Sequence, residues 1–185
     1  MDHHSTDQQF WISLKKGDKD ALSEIFHRHY ASLHQYGYKL TGDIPLVEDC
    51  LQEVFLYIYE NRTKLGDVTY VRAYLFKSFR RHLLRTLRNQ RKSVYLSLDE
   101  SWVVMPNELE DLDHDENKRK YLARMINELS PRQRELIYLR YYNDLSPQEI
   151  AEMLSISYRA VVNTLYKAMV ELRKEKDQLR DFSSL

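Results

Sequence analysis

The chain has 185 residues, of which 43% are hydrophobic and 30% charged, and its formal net charge at pH 7 is +0. This composition is typical of a soluble globular protein with one large domain or two small ones. The single cysteine, Cys50, excludes an internal disulfide framework and a cysteine-rich zinc site. Because no segment is apolar enough to span a membrane and the N-terminus lacks the core of a secretory signal, we expect a cytoplasmic protein without membrane insertion.

Helical periodicity dominates the chain, which contains only 4 Gly and 4 Pro. Since no run alternates between apolar and polar residues as a half-buried strand does, the predicted fold class is all-α. The first predicted helix runs from about Asp20 to Leu40, and Gly42 stops it. His3 and His4 are assigned to a mobile terminus. No histidine pair has convincing metal-ligand spacing, so neither a metal nor a cofactor is expected.

The next predicted helix, which Asp43 can cap, carries an acidic face. Asp49, Gln52 and Glu53 lie three and four positions apart and therefore share one side of that helix. The inner stripe on the other side consists of Val47, Leu51, Val54, Phe55 and Ile58. The acidic face fits Arg or Lys side chains of a partner protein, and the alternative is an ordinary solvated helix face.

A third long helix carries a basic segment, which has seven cations and no acid between Phe76 and Lys92. Its apolar positions are Val71, Tyr74, Leu75, Phe79, Leu83 and Leu87. The cations that stack along one side are Lys77, Arg81, Arg85 and Arg88. Nearby aromatic residues are Tyr70, Tyr74, Phe76 and Phe79. A basic stripe beside aromatic rings suits single-stranded or locally melted DNA, and the alternative is a face that only maintains solubility.

An acidic segment from Ser97 to Glu116 contains eight acids and no Lys or Arg. It is predicted to be a weakly structured linker over residues 96–116, joining two small helical domains at 1–95 and 117–185. The linker either acts only as a solvated tether or enters a positively charged channel of a partner.

The second domain begins with a predicted helix over Tyr121–Leu129, followed by a capping box of Ser130 and Gln133. The helix that this box opens has Leu136, Ile137 and Leu139 inside. From Ser146 the pattern predicts a helix-turn-helix: Ser146, Pro147 and Glu149 begin its first helix, and Ser157 can cap the second. The inner stripe of the first is Ile150, Ala151 and Leu154, and that of the second is Val161, Leu165, Ala168 and Leu172.

The second helix of this pair leaves a mixed polar and apolar face open. Its members are Arg159, Val162, Asn163, Tyr166 and Lys167. Such side chains reach base edges, thymine methyl groups and phosphates in a major groove. The alternative is a helical hairpin packed in a core.

These motifs together resemble the bacterial sigma factors of RNA polymerase, of the sigma-70 family and its extracytoplasmic-function (ECF) group, over about Phe10 to Lys174. The segment VEDCLQEVFLYI is similar to region 2.2, whose characteristic residues fall here on Asp49, Gln52, Glu53 and Phe55. The resemblance implies that this face binds the clamp-helix coiled coil of the largest polymerase subunit.

The same resemblance assigns DNA contacts in both domains. The segment AYLFKSFRRHLLRTLR is similar to regions 2.3 and 2.4, which melt the minus 10 element; the implied contact residues are Lys77, Arg80, Arg81, Arg85 and Arg88. Leu129 to Arg173 is similar to region 4, which binds the minus 35 element. The implied contacts there are Arg159, Val162, Asn163, Tyr166 and Lys167.

The resemblance implies a sigma factor that binds core RNA polymerase and directs promoter-specific transcription initiation, with promoter DNA and an anti-sigma factor as further partners. No catalytic constellation is present, so an enzyme is not expected. The leading alternative is a free-standing transcriptional regulator that binds an operator without polymerase and uses its N-terminal bundle to dimerise or sense a ligand. A helical enzyme or scaffold is a third alternative.

Overall fold

A computed structural model describes residues 3–90 and 116–182, and the side chains of residues 6–89 and 120–174. This part of the chain forms eight α-helices and contains no β-strand, which confirms the predicted all-α class. The chain divides into two compact units. Most of the predicted acidic linker lies outside the described residues, so its extent and the predicted domain limits stay predictions.

The first helix, α1 (His3–Lys15), was not predicted, and it begins at His3. Trp11 and Leu14 are buried and anchor α1 to the unit. Because they lie three residues apart, they share one side of a helix that is otherwise largely polar. So short an apolar stripe gave little periodicity from which to predict a helix.

The second helix, α2 (Lys19–Thr41), agrees with the predicted helix to within a residue at each end. The Asp18 carboxylate accepts hydrogen bonds from the backbone N–H groups of Asp20 and Ala21 at its start. Gly42, at φ 67°, ends the helix in a left-handed conformation that suits glycine. The missing side chain of Gly37 brings α2 close to two other segments, since a Cβ there would lie 2.6 Å from Phe79 Cζ and 2.9 Å from Val47 Cγ2.

Two further helices complete the first unit. Helix α3 (Ile44–Glu60) begins at Asp43, whose carboxylate accepts from the Leu46 N–H at 3.1 Å, and this confirms the predicted cap. All five residues of its predicted inner stripe are buried. A short 3₁₀ turn over Arg62–Lys64 leads towards α4 (Val71–Gln90). Helices α2, α3 and α4 contact one another, and α1 packs on α2 and α4.

The second unit begins with α5 (Glu116–Glu128) and α6 (Pro131–Ile137). The predicted capping box is confirmed: the Gln133 N–H donates to Ser130 Oγ, and the Ser130 N–H donates to Gln133 Oε1 at 2.8 Å. Helix α6 continues without a break into a π-helical turn over Tyr138–Tyr142, which was not predicted. Burial raises the pKa of the Tyr138 phenol, the first residue of that turn.

The helix-turn-helix consists of α7 (Pro147–Leu154) and α8 (Tyr158–Phe182). Glu149 accepts from the Ser146 N–H at 2.8 Å, and Ser157 Oγ accepts from the Ala160 N–H at 3.2 Å, so both predicted caps are confirmed. Of the predicted stripes, the buried residues are Ile150, Val161, Leu165 and Ala168, and the half-buried residues are Ala151, Leu154 and Leu172. Met153 is buried in α7 although it was not predicted to be.

Candidate nucleic-acid and partner interfaces

The outer side of α3 presents the predicted acidic face. Asp49, Gln52 and Glu53 are exposed there. Phe55 is only 6% exposed, and its ring lies 5.0 Å from the ring of Phe26 in an edge-to-face arrangement. Since Phe55 belongs to the core, the structure does not place it with the other three residues at the surface. Its contribution is to fix the rotation of α3, which turns the acidic side chains outwards.

Two apolar side chains belong to the same outer face and were missed by the sequence reasoning. Leu56 is 56% exposed and Tyr57 is 60% exposed. They follow Gln52 and Glu53 by four residues, so they continue the face along the helix. The sequence held a signal for them, because Leu56 lies directly after the stripe residue Phe55 and cannot point the same way. Exposed apolar residues beside charged ones are typical of a protein interface.

Glu53 links this face to α4. His82 Nε2 lies 2.7 Å from Glu53 Oε2. A second histidine and carboxylate meet where α3 borders α2, with His34 Nε2 of α2 3.8 Å from Glu48 Oε1. Burial raises the pKa of the Cys50 thiol; a hydrogen bond with Thr86 of α4 partly offsets this rise, and the charges of Glu53 and Asp49 add to it. Cys50 is therefore held as a neutral thiol.

Helix α4 presents the predicted basic stripe to solvent. Lys77, Arg81, Arg85 and Arg88 are exposed, and Arg80 is half-buried. The neighbouring aromatic residues behave differently from one another. Phe76 and Phe79 are fully buried and cannot stack on a base, whereas Tyr70 and Tyr74 are half-buried.

Helix α1 holds the segment that precedes α4. Gln8 Nε2 donates to the Thr69 carbonyl at 2.9 Å, and Lys15 Nζ donates to Asp67 Oδ1 at 2.6 Å. The hydrogen bond from Lys15 lowers the pKa of the Asp67 carboxyl. Between them, Trp11 packs edge-on against Tyr74 with ring centroids 5.1 Å apart, and its Nε1 donates to the carbonyl of Gly66 at 3.3 Å. These contacts were invisible in the sequence because they join residues more than fifty positions apart.

Helix α8 exposes all five residues that were predicted to contact duplex DNA. They form two adjacent columns, because residues four apart follow one another along a helix. The apolar column contains Tyr158, Val162 and Tyr166. The polar column contains Arg159, Asn163 and Lys167. Tyr166 is 69% exposed, and Tyr158, which the sequence reasoning omitted, is 51% exposed.

Each of the two units matches a known protein family. Residues 25–93, which include α3 and α4, match Sigma-70 region 2, and residues 119–172, which include the helix-turn-helix, match Sigma-70 region 4. The chain belongs to the sigma-70 family. Together the two regions cover more than half of this sigma factor, whereas α1 precedes the matched residues.

Curated relatives identify the chain as an ECF-type sigma-70 factor. The ECF RNA polymerase sigma factor SigW of Bacillus subtilis is 26% identical over 178 residues, which are 91% of this chain and 94% of SigW. The ECF RNA polymerase sigma factor SigL of Mycobacterium tuberculosis is 29% identical over 160 residues, which are 85% of this chain and 90% of SigL.

Two solved structures share the fold of this sigma factor. One is CnrH in complex with the cytosolic domain of CnrY, with a TM-score of 0.64 and 21% identity over 93% of this chain and 97% of that one. The other is the sigma factor RpoE in complex with the anti-sigma factor NepR from Bartonella quintana, with a TM-score of 0.59 and 16% identity over 84% and 96% of the two chains. None of the helices in residues 3–90 and 116–182 combines the length and apolarity that crossing a bilayer requires.

Proposed function

We propose that three exposed helix faces of this sigma factor divide the work of promoter-directed transcription initiation with RNA polymerase. The outer face of α3 binds the polymerase, the basic side of α4 binds the minus 10 element, and α8 binds the minus 35 element. The observation that carries the proposal is the arrangement of α8: five residues suited to DNA contact are exposed opposite a buried stripe, on a helix whose start is fixed by the Ser157 cap.

The docking face combines negative charge with apolar contact area. Asp49 and Glu53 match cationic side chains of a partner, which fits the clamp-helix coiled coil of the largest polymerase subunit. Leu56 and Tyr57 add exposed apolar surface, and tyrosine is among the residue types that carry most binding energy in interfaces. Phe55 supports the face from the core rather than contacting the partner.

The minus 10 contact relies mainly on cations. Lys77, Arg81, Arg85 and Arg88 are exposed along one side of α4 and follow the phosphates of the opened strand. Because Arg81 is exposed within the same row of cations, we assign it to a phosphate rather than to a base. Tyr70 and Tyr74 retain partly exposed rings, so stacking on flipped bases falls to them rather than to the buried phenylalanines.

The minus 35 contact uses both columns of α8. Arg159, Asn163 and Lys167 supply donors for base edges and phosphates, and Val162 and Tyr166 supply apolar surface for thymine methyl groups. We also propose an anti-sigma factor that masks these faces, since an exposed apolar column beside a charged one is a ready protein-binding surface. The polymerase makes the phosphodiester bonds in the cytoplasm, and this chain contributes recognition.

The proposal is tested by reconstituted transcription with purified core RNA polymerase. Asp49→Lys reverses an exposed charge on the docking face, so we expect it to reduce both co-elution with core polymerase and promoter-dependent transcription at least tenfold, as loss of a charge pair in an interface does. The matched control is Glu24→Lys, the same charge change on the exposed side of α2. Specific promoter binding without polymerase, together with unchanged transcription by Asp49→Lys, would favour the free-standing regulator instead.

A further inference from the structure

One contact joins the proposed docking face to the DNA-facing helix. His82 of α4 brings its Nε2 within 2.7 Å of Glu53 Oε2 on α3. The N–H direction is not aligned with that oxygen, and the Nε2 atom makes no well-aligned hydrogen bond. The contact therefore places the ring edge against the carboxylate oxygen, which limits the movement of the Glu53 side chain. The Nε2 atom is also shielded from water, so Glu53 Oε2 is a polar atom that it faces in place of solvent.

The geometry leaves part of Glu53 available to a partner. Its side chain is 66% exposed, compared with 30% for His82. A carboxylate has two oxygens with about four acceptor positions, and the 2.7 Å contact with His82 is made at Oε2. With two thirds of its side chain exposed, Glu53 can still accept from an Arg or Lys of another protein. His82 thus restricts the carboxylate without covering it.

Glu53 differs in this respect from its neighbours on the face. Within the part of the chain that the structure describes, no hydrogen bond or ion pair holds the side chain of Asp49 or Gln52. Their rotamers must be fixed when a partner binds, and ordering each such side chain has an entropic cost. For Glu53, His82 of α4 already restricts the side chain in the folded protein, so less conformational entropy is lost when a partner binds.

We propose that His82 is a positioning residue of the docking face, holding the Glu53 carboxylate in the orientation that core RNA polymerase binds. This inference rests on the proposed docking role of α3. It assigns a function to a residue of the DNA-facing helix that contacts neither a base nor the polymerase. Its consequence is that loss of the imidazole weakens polymerase binding although Glu53 itself is intact.

The experiment measures the affinity of the labelled full-length protein for purified core RNA polymerase. His82→Leu removes the ring nitrogens, and we expect binding to weaken about twofold to tenfold, which is the cost of ordering one long side chain. His82→Gln keeps an amide donor and is expected to restore most of the affinity. If His82→Leu does not fold at the assay temperature, His82→Ala replaces it.

A matched control tests whether loss of any histidine that pairs with a carboxylate in this unit has the same effect. His29 of α2 pairs with Asp7 of α1 at 2.9 Å, and neither residue lies on α3. His29→Leu removes the same ring from a histidine and carboxylate pair, and circular dichroism checks that this variant folds. We expect its affinity for core polymerase to stay within about twofold of the parent. An equal loss in both variants would overturn the assignment, because it would indicate a general structural effect.

A double-mutant cycle provides the decisive comparison. If His82 acts through Glu53, then His82→Leu has no further effect on polymerase binding in a Glu53→Ala background, where the side-chain oxygens are removed. A full additive loss there overturns the inference. The outcome for the docking role is separate: if Asp49→Lys weakens binding but His82→Leu does not, only the positioning role fails. If Asp49→Lys and Glu53→Lys both bind as the parent does, the docking face fails and the positioning role with it.

Discussion

At the scale of single residues, the first unit depends on positions where one side chain decides how closely helices approach. Gly37 is the clearest case, because α2 meets Phe79 and Val47 at a point with no room for a methyl group. Phe79 lies on the helix with the proposed minus 10 contacts and Val47 on the helix with the proposed docking face. A change at Gly37 therefore reaches both faces through the core.

Gly37→Ala is expected to destabilise the protein by about 1–3 kcal/mol, the usual cost of forcing an extra carbon into a packed core. The matched control is Gly66→Ala, since a Cβ at Gly66 would meet nothing within 4 Å. We expect that variant to stay within about 0.5 kcal/mol of the parent. Denaturant unfolding followed by circular dichroism measures both. Equal stability of the two variants would contradict the close approach at Gly37.

At the scale of secondary-structure elements, α1 is a brace for the segment that precedes α4. Gln8, Trp11 and Lys15 lie on one side of α1 and each contacts residues between Gly66 and Thr69. On α1 the Asp7 carboxylate also meets His29 Nε2 of α2 at 2.9 Å, and both side chains are buried. The helix thereby ties α2 to the entry of the basic helix.

Trp11→Ala should loosen this brace. Removal of a buried tryptophan side chain typically costs about 3–5 kcal/mol, and the Gly66 carbonyl also loses its donor. We expect lower stability and faster hydrogen exchange in residues 65–70. Ile12→Ala, one residue further along the same helix, provides the control, because Ile12 is 52% exposed. Unchanged exchange in residues 65–70 of Trp11→Ala would show that α1 does not hold that segment.

The sequence predicted best what neighbouring residues decide. The caps at Asp43, Ser130, Ser146 and Ser157 involve groups about three positions away, so local spacing sufficed. Helix α1 was missed because its main support, the packing of Trp11 on Tyr74, comes from a distant part of the chain. The sequence assigned Phe55 both to the inner stripe and to the docking face. Its packing on Phe26 shows that it belongs to the inner stripe, and this contact could not be read from the sequence. The Glu53 and His82 pair likewise depends on how α3 meets α4.

At the scale of the whole molecule, a formal net charge of +0 conceals strong local differences. The exposed side of α4 is cationic and that of α3 is mainly anionic, so the two faces of one unit attract different partners. The second unit carries a third face on α8. Two small DNA footprints bind weakly alone, but binding through one chain to one polymerase raises their effective concentration.

Cleavage of the predicted linker is expected to separate these activities. A protease site introduced between residues 96 and 116 leaves both units intact but removes the covalent connection. Transcription from promoters that need both elements should then fall by about two orders of magnitude or more at limiting concentration. The uncleaved variant serves as the control. Undiminished transcription after complete cleavage would mean that the polymerase alone keeps the two units in register.

The missing side chain at Gly37 has a geometric consequence for initiation. Helices α3 and α4 are both seated on α2 at that position, with less than a methyl group of clearance on either side. If these helices carry the polymerase grip and the opened strand, the distance between grip and strand is built in during folding and cannot be adjusted from one promoter to the next. The number of nucleotides between the melted element and the first transcribed nucleotide is then set by how closely the three helices pack at Gly37, where no side chain is present.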